Sequence, residues 1–565
     1  MTVIVAVARG HNSSTTLLVD GEVVFYLEEE RLSKFKYDGS PLLGLIEVFK
    51  HVDHIDHLVV CHTHRHGPTL DWTGEDLYEG MVRKLAKKKF KFETHFIDLH
   101  HHQMHAACGF YNSGFKTAAC VIVDGAGSFL NIDGINDNVY EFETIFKSAY
   151  PHTFDQVYKH LGTKDAVGYY KDPESENYIT EFPGITKTYE AVTQYVGFPA
   201  IEAGKTMGLA PYGKPNSDLP PLFRDGWANR DVVQPTYPSA SRIIHERFPI
   251  LAAGLSSVPN EFTQTQMDLA YAVQETTEQA MIKLIRKAHE LTGETNIVIC
   301  GGYGLNCVAN YKYWKEFENL NIYCEPISHD GGTSIGGAKL IWHQVTENTQ
   351  PKKQASVYYG PQYDIAEYKT ILNDNEITYS ESSYNDIAKL IADGNIVTIF
   401  QGRSEGGPRA LGNRSILFDP RVKDGKDIVN AVKHREWFRP FAGSILAESV
   451  HEWFDLAGRP DSPHMMYAVD CQPGVEEKIP SIIHVDGTCR IQTVTPEQNL
   501  HYYNLISAFN TITGTPILFN TSFNLGGDPL VETLEDAIDT LTRCDIEYLY
   551  LPEIQTLVRI PNVTD

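Results

Sequence analysis

The stretch from Leu99 to Phe110 reads LHHHQMHAACGF, with four histidines among its first seven residues. His101 and His105 stand four apart, so on a helix both imidazoles project from one face, one turn from each other. That spacing suits two ligands of one cation. A metallopeptidase helix would carry a glutamate directly after the first histidine as general base, and here that position is His102. This argues against a hydrolase of that type. On these residues alone a metal site and a plain, partly exposed helix capped by histidines both stay open.

The elements around this helix decide how it could be used. The N-terminus reads as strand VIVAVA, a polar turn, strand TTLLV, an Asp20-Gly21 turn and strand EVVFYLEEE. Asp-Gly between two β-rich runs signals a hairpin. After the histidine helix, TAACVIVDGAGS is an apolar strand ending in Asp124 and glycines, which places an acid and exposed amides at the carboxyl edge of a sheet. TNIVICGGYGLNCVAN runs likewise into Gly301, Gly302 and Gly304, and EPISHDGGTSIGGAKL is a turn leading into a helix of small residues. Three Gly-rich strand ends suggest a nucleotide cleft. MDLAYAVQETTEQAMIKLIRKAHELTG has helical apolar spacing and a closing glycine, and reads as a packed helix without chemistry. The polar stretch from Val345, with Pro351 and two lysines, reads as a linker near residue 350. A second αβ region follows, with no solenoid-type repeat anywhere in the chain.

At 565 residues the chain is long enough for two or three domains. Its formal net charge of -25 argues against nonspecific binding to nucleic acid or membrane surfaces, while a local basic groove stays open. The opening MTVIVAVARGHNSS lacks a basic region and a long apolar run, and no later window approaches twenty apolar residues. A cytoplasmic protein without membrane contact is expected. Nine cysteines include no C-x-x-C pair, and Cys108, Cys120, Cys300 and Cys307 lie among small or apolar residues, so buried thiols are expected.

A family resemblance joins these pieces. GHNSSTTLLVDGEVVFYLEEERLSKFK, HHQMHA, VDGAGS, MGLAPYG, GGYGLNCVAN, SHDGGTSIGGA, GRSEGGPRALGNRSIL, REWFRPFAGSIL, HVDGTCRIQTV and NTSFNLGGDPL occur in that order and cover nearly the whole chain. The chain resembles the O-carbamoyltransferases that tailor antibiotics and nodulation factors. The resemblance implies an α/β protein with an actin-like (ASKHA-type) domain over 1–350 and a smaller YrdC-like α/β domain over 351–565. The second domain would form carbamoyladenylate from ATP and carbamoyl phosphate. The first would pass the carbamoyl group to an acceptor hydroxyl, with release of AMP.

Residue by residue, the resemblance places metal ligands at His101, His105, Asp124 and Asp330, with Fe(II) expected and Zn or Mn as alternatives, and with Mg accompanying ATP. His100 and His102 are taken as bystanders or supports. His11 is a candidate general base, set against a plain turn residue. Gly204, Gly301, Gly302 and Gly331 would let backbone amides approach phosphates, with Lys205 and Asn306 as side-chain partners. In the second domain Arg409, Arg414, Lys433, Arg435, Arg439 and Arg490 would neutralise phosphates, with Lys433 and Arg490 closest to the chemistry. Asn520, Ser522 and Asn524 would hydrogen-bond the carbamoyl amide or ribose. A carbamoyl carbonyl is a poor electrophile, so the reaction needs both a good leaving group and stabilisation of oxyanion charge.

The acceptor is read from weaker signals. Loops set specificity on a shared scaffold, which points to HTHRHGPTLDW and SAYPHTFDQVYKHLGTKDAVGYYKD, both bearing His, Lys and aromatics. A composition rich in Tyr, Asn, Lys and Ile fits an AT-rich genome. A hydroxyl on a sugar or natural product is the expected acceptor. Hydroxymethylpyrimidine in phage-type DNA is the alternative, followed by threonylcarbamoyl modification of tRNA and by a noncatalytic nucleotide-binding module. A dimer is the candidate oligomeric state.

Overall fold

The computed structural model describes residues 1–64, 74–135, 139–163, 168–224, 226–236, 240–243 and 261–560. The chain forms two compact units, one of Met1–Glu29 with Tyr37–Gln354 and one of Glu30–Lys36 with Ala355–Asp565. A linear boundary near residue 350 does not anticipate that residues 30–36 belong with the second unit.

In the first unit the strands Glu22–Glu28, Ser14–Val19 and Val3–Ala8 form an antiparallel meander, which continues in parallel through His57–Cys61 to Glu93–Ile97. Asp20 and Gly21 close the first hairpin at φ +48° and +84°, the doubly left-handed geometry that Asp-Gly turns supply. All six residues of VIVAVA are buried, because both faces of this strand are covered.

A second sheet follows the same order. Thr153–Gly162, Val139–Ala149 and Thr117–Val123 are antiparallel, and Asn296–Cys300 and Asn321–Cys324 continue in parallel from Thr117–Val123. Asn177–Thr180 and Tyr169–Lys171 extend its outer edge. The fold thus contains an internal duplication that no sequence period betrays, since the paired elements share strand order and not residues. The helix Gln264–Thr292 starts with a Thr263/Gln266 capping box and stops at left-handed Gly293.

The core between the sheets gathers Met104, Ala106, Ala107, Phe110, Val298, Cys300, Ala338 and Ile341. Here the helices His101–Ser113 and Gly332–Thr346 meet almost backbone to backbone. A Cβ on Gly336 would lie 2.0 Å from the Met104 carbonyl oxygen, and one on Gly337 would lie 2.7 Å from Cys61 Sγ.

Among the described residues, the second unit is built on a ten-stranded sheet. Its central strands run Val397–Phe400, Arg414–Phe418, Ile517–Ser522, Ala442–Leu446, Thr488–Val494. One apolar cluster gathers Phe400, Ile416, Leu534 and Leu549, and a second gathers Ile387, Val397, Phe509 and Leu518. The short 30–36 segment is tied in by Arg31, whose guanidinium donates to the carbonyls of Glu405 (2.5 Å) and Gly407 (2.7 Å), and by Lys34, which pairs with Asp536. No described helix is long and apolar enough to cross a membrane.

Candidate functional site

In the first unit the four residues singled out as ligands converge. His101 opens its helix, with its backbone N–H donating to Ser128 Oγ at 3.0 Å, and His105 follows one turn later. Asp124 stands just past the strand Thr117–Val123, and Asp330 lies in the turn before the helix Gly332–Thr346. His101 Nε2 is 3.1 Å from His105 Nε2, 3.5 Å from Asp124 Oδ2 and 3.5 Å from Asp330 Oδ1, which is also 3.6 Å from His105 Nε2. All four are buried.

Their electrostatics reflect that enclosure. Burial disfavours a charged His101, but Asp330 and Asp124 outweigh it and raise the imidazole to about 10. Burial and mutual repulsion likewise work against the two carboxylates, yet the facing histidines hold both below the ordinary range. Supports are visible behind the donors. The Gly302 N–H donates to Asp124 Oδ1 at 3.0 Å, and His105 Nδ1 lies 3.8 Å from Cys300 Sγ. Gly301 adopts φ +91° with its Cα pressed to the neighbouring strand, where a Cβ would lie 2.4 Å from the Val123 carbonyl oxygen.

Ligands about 2.0–2.2 Å from one ion lie roughly 3–3.6 Å apart, the range of the distances here. Two imidazoles and two carboxylates, each within 4.8 Å of the others, therefore fit a divalent transition metal. His100 is exposed at the helix cap, and His102 points to the other side, sharing a 2.8 Å hydrogen bond with Thr144 Oγ1.

The rim of this pocket includes His11, half exposed, with Nδ1 3.4 Å from Asp330 Oδ2. It also includes a pair that sequence reasoning missed. Glu190 is bonded to buried Lys187 at 2.7 Å, and its Oε1 lies 2.6 Å from where a Cβ on Gly125 would be. Burial raises its carboxyl, Lys187 opposes that shift, and Asp124 and His11 are close enough to act on it as well. The available signal was Gly125 itself, a glycine directly after a ligand that leaves room for an incoming side chain.

The second unit collects positive charge. Arg490 and Asn520 flank Ala442 across three adjacent strands, so their side chains rise from one face of the sheet. Burial holds Arg435 well below the usual arginine range, and Arg439, Arg490 and Arg409 push it the same way. Burial also depresses Lys433, helped by Arg435, Arg439 and Lys36. The Lys433 ammonium donates to the Ser522 carbonyl, and to the Asn524 carbonyl at 2.7 Å. Ser522 Oγ donates to Asn524 Oδ1 at 2.6 Å. Asn520 donates to Ser444 Oγ at 2.9 Å, while its own buried Oδ1 has no hydrogen-bond partner among the described residues.

Three expected ligand contacts are otherwise employed. Arg414 is fully buried, with its guanidinium donating to the carbonyls of Gln401, Asn413, Gly402 and Glu532 and stacked 3.8 Å over Phe400. Its neighbour Ser415 pairs with Ser522, so Arg414 points to the opposite face of the sheet from Ser522 and Asn520. It is a fold-holding arginine and not a phosphate ligand. Asn306 caps the helix Cys307–Glu316 through Ala309 N and exchanges two 3.1 Å bonds with Gln274. Lys205 pairs with Glu202 at 2.8 Å. Gly204 has open space at its Cα, whereas the Gly331 N–H is spent on His329 Nδ1 at 3.0 Å. Of the two segments read as acceptor loops, residues 65–72 and 164–167 lie outside the described residues.

The first unit thus joins a repeated strand order to a buried His/Asp metal-type centre, and the second gathers buried Lys433 with partly buried arginines. The sequence profiles for Carbamoyltransferase N-terminus and Carbamoyltransferase C-terminus match residues 69–339 and 388–557. A protein of Synechocystis sp. is 31% identical, spanning 96% of this chain and 94% of its own length. The nodulation protein NolNO of Sinorhizobium fredii is 30% identical over 95% of this chain and 78% of that protein. The 3'-hydroxymethylcephem-O-carbamoyltransferase of Streptomyces clavuligerus is 29% identical over 60% of this chain and 61% of the relative. A solved structure of full-length HypF, covering 62% of this chain and 56% of its own, superposes with a TM-score of 0.36 at 11% identity, which adds nothing to the assignment. The chain belongs to the carbamoyltransferase family, and is an enzyme that transfers carbamoyl groups.

Proposed function

We propose that this enzyme is an ATP- and metal-dependent O-carbamoyltransferase, with an actin-like first unit and a YrdC-like second unit. It activates carbamoyl phosphate as carbamoyladenylate and transfers the carbamoyl group to a hydroxyl of a small molecule, a sugar or natural product. The observation that carries this reading is the cation cluster of Lys433, Arg435, Arg439, Arg490 and Arg409 in a protein of net charge -25. Like charges gathered around buried Lys433 repel one another, and a polyanionic ligand is the natural counterpart of the partly buried arginines beside it. The repeated strand order of the first unit supports the actin-like assignment.

In the second unit, Arg490 and Arg435 grip phosphate oxygens while Lys433, held by two carbonyls, sits ready as a point charge for the α-phosphate. Asn520 Oδ1 accepts a hydrogen bond from the carbamoyl amide, which relieves its unpartnered burial. Carbamoyl phosphate first loses inorganic phosphate to leave a carbamate, whose oxygen then attacks the α-phosphorus of ATP and displaces pyrophosphate, so that the carbamoyl carbon now carries AMP as a good leaving group.

In the first unit His101, His105, Asp124 and Asp330 hold a divalent ion, Fe(II) with Zn or Mn as alternatives, which when bound supplies Lewis acidity toward a carbonyl or phosphoryl oxygen. His11, oriented by Asp330, accepts the proton of the acceptor hydroxyl as that oxygen bonds to the carbamoyl carbon and AMP departs. Glu190, fixed by Lys187, offers an acceptor to the incoming hydroxyl or the carbamoyl amide.

The test is incubation with ATP, Mg and carbamoyl phosphate, with AMP and pyrophosphate read by chromatography. Arg490→Ala abolishes pyrophosphate release, whereas His105→Ala keeps it and blocks transfer. Loss of the same partial reaction in both variants refutes the division of labour. Hydroxymethylcytosine DNA belongs in the acceptor panel, because a carbamoyl mass gain on that base would replace the small-molecule assignment.

A further inference from the structure

Away from the buried centre, the first unit carries another set of donors on the outside of its first sheet. His57 opens the strand His57–Cys61, while Glu93 and His95 lie on the edge strand Glu93–Ile97. His57 pairs with Glu93 in parallel register, and His95 is two residues further along. Paired residues of adjacent strands share a face, and residues two apart on one strand share it too, so all three side chains rise together. His57 Nδ1 is 3.1 Å from His95 Nε2 and 3.8 Å from Glu93 Oε2, and His95 Nε2 is 4.0 Å from Glu93 Oε1.

The imidazole spacing equals that of the buried centre, the Glu93 carboxylate stands a few tenths of an ångström further off, and one ligand atom from each residue lies within 4.8 Å of the others. The two imidazoles are largely enclosed, with side chains 14% and 20% exposed, while Glu93 is 68% exposed. Two largely fixed nitrogens with a carboxylate able to swing onto them is a donor set for a transition metal of the Zn(II) class, with water completing the shell. Calcium and magnesium, which take oxygen ligands, are not suited to it.

We propose that His57, Glu93 and His95 form a second divalent transition-metal site that clips the edge strand to its neighbour. Its placement gives it a purpose. The edge strand ends at Ile97 and the helix bearing the buried ligands begins at His101, so the clip anchors the chain immediately before that helix. An edge strand is held by hydrogen bonds on one side only, and a metal bridge adds a cross-strand tie that a third strand would otherwise supply.

The test uses the full chain stripped with chelator and titrated with Co(II) or Zn(II). Two equivalents bind to the wild type. His57→Ala and His95→Ala each lose one, with affinity at that site falling more than about 100-fold, beyond the loss typical for a supporting residue. His105→Ala loses the other equivalent and retains the surface one, seen as a Zn(II)-dependent rise in melting temperature that the His57→Ala/His105→Ala double variant lacks. His57→Gln, which keeps side-chain bulk, controls for folding and gives the same loss with an unchanged circular dichroism spectrum. One equivalent in the wild type, unaltered stoichiometry in His57→Gln and His95→Ala, or surface binding only at millimolar Zn(II) would overturn the proposal. Retention of the surface site in His105→Ala keeps this outcome separate from the fate of the buried centre.

Discussion

Arg414 and Arg490 are both arginines of motifs shared with carbamoyltransferases, yet the sheet sends them to different duties. Replacing Arg414 by Ala takes a donor from four buried carbonyls and takes from Glu532, 3.9 Å from the guanidinium, one of the two arginines acting on it. Urea denaturation is expected to show a loss of about 3–5 kcal/mol. Arg490→Ala costs less than about 1 kcal/mol by the same measure, because no described hydrogen bond depends on it, and it silences pyrophosphate release. Lys433 adds a pH signature. Its depressed pKa means that the unfolded chain binds more protons than the folded one between the folded value and about 10.4, so stability rises with pH across that window. A phosphate ligand opposes the effect by favouring the ammonium, so ATP binding takes up protons at any pH where Lys433 of the free enzyme is partly neutral. Calorimetry in buffers of different ionisation enthalpy measures this, and the uptake is absent in Lys433→Met. The four buried ligands were legible through the family resemblance, which joined Asp124 and Asp330 to the i,i+4 histidine pair, whereas the spacing alone left a metal site and a plain helix both open. It could not separate Arg414 from Ser415, since which face a strand residue takes depends on register with partners distant in the chain.

At the scale of elements, the metal-type centre depends on how closely two helices approach. Gly336 lets the helix Gly332–Thr346, which follows Asp330, lie against the helix that carries His101 and His105. Gly336→Ala must push the two apart. The expected cost is about 1–3 kcal/mol in denaturation and a metal affinity at least tenfold weaker, read by Co(II) absorption on stripped protein. Retained affinity would show that the ligands adjust independently of their helices. The small residues of SHDGGTSIGGA were visible in the sequence, but the Met104 carbonyl they accommodate was not, because a glycine records an approach without naming what approaches. The Asp20-Gly21 hairpin was fully legible, being a local matter of two left-handed residues. The duplicated sheet order was not, since strand order is written in long-range pairing.

For the whole molecule, acid stability is shaped by neutral buried histidines. His343 stacks on Tyr111 at 4.2 Å, shares a 2.7 Å hydrogen bond with the Asn348 carbonyl, and is pushed down to about 4 by burial. An unfolded histidine titrates near 6.5, so as pH falls from there the unfolded chain takes up its proton first and stability is lost between about 6.5 and 4. His343→Gln flattens that part of the stability profile, measured by urea unfolding at successive pH values. The division of the chain matters at the same scale. A fragment of 355–565 lacks Arg31 and Lys34, and a synthetic 30–36 peptide is expected to raise its melting temperature. During synthesis on the ribosome this segment emerges roughly 320 residues ahead of its destination, which at about 5–20 residues per second is a wait of roughly a quarter of a minute to a minute. The second unit is thus finished by a piece of chain older than itself, and an mRNA cut between the two units would deliver the first whole and leave the second without its 30–36 segment.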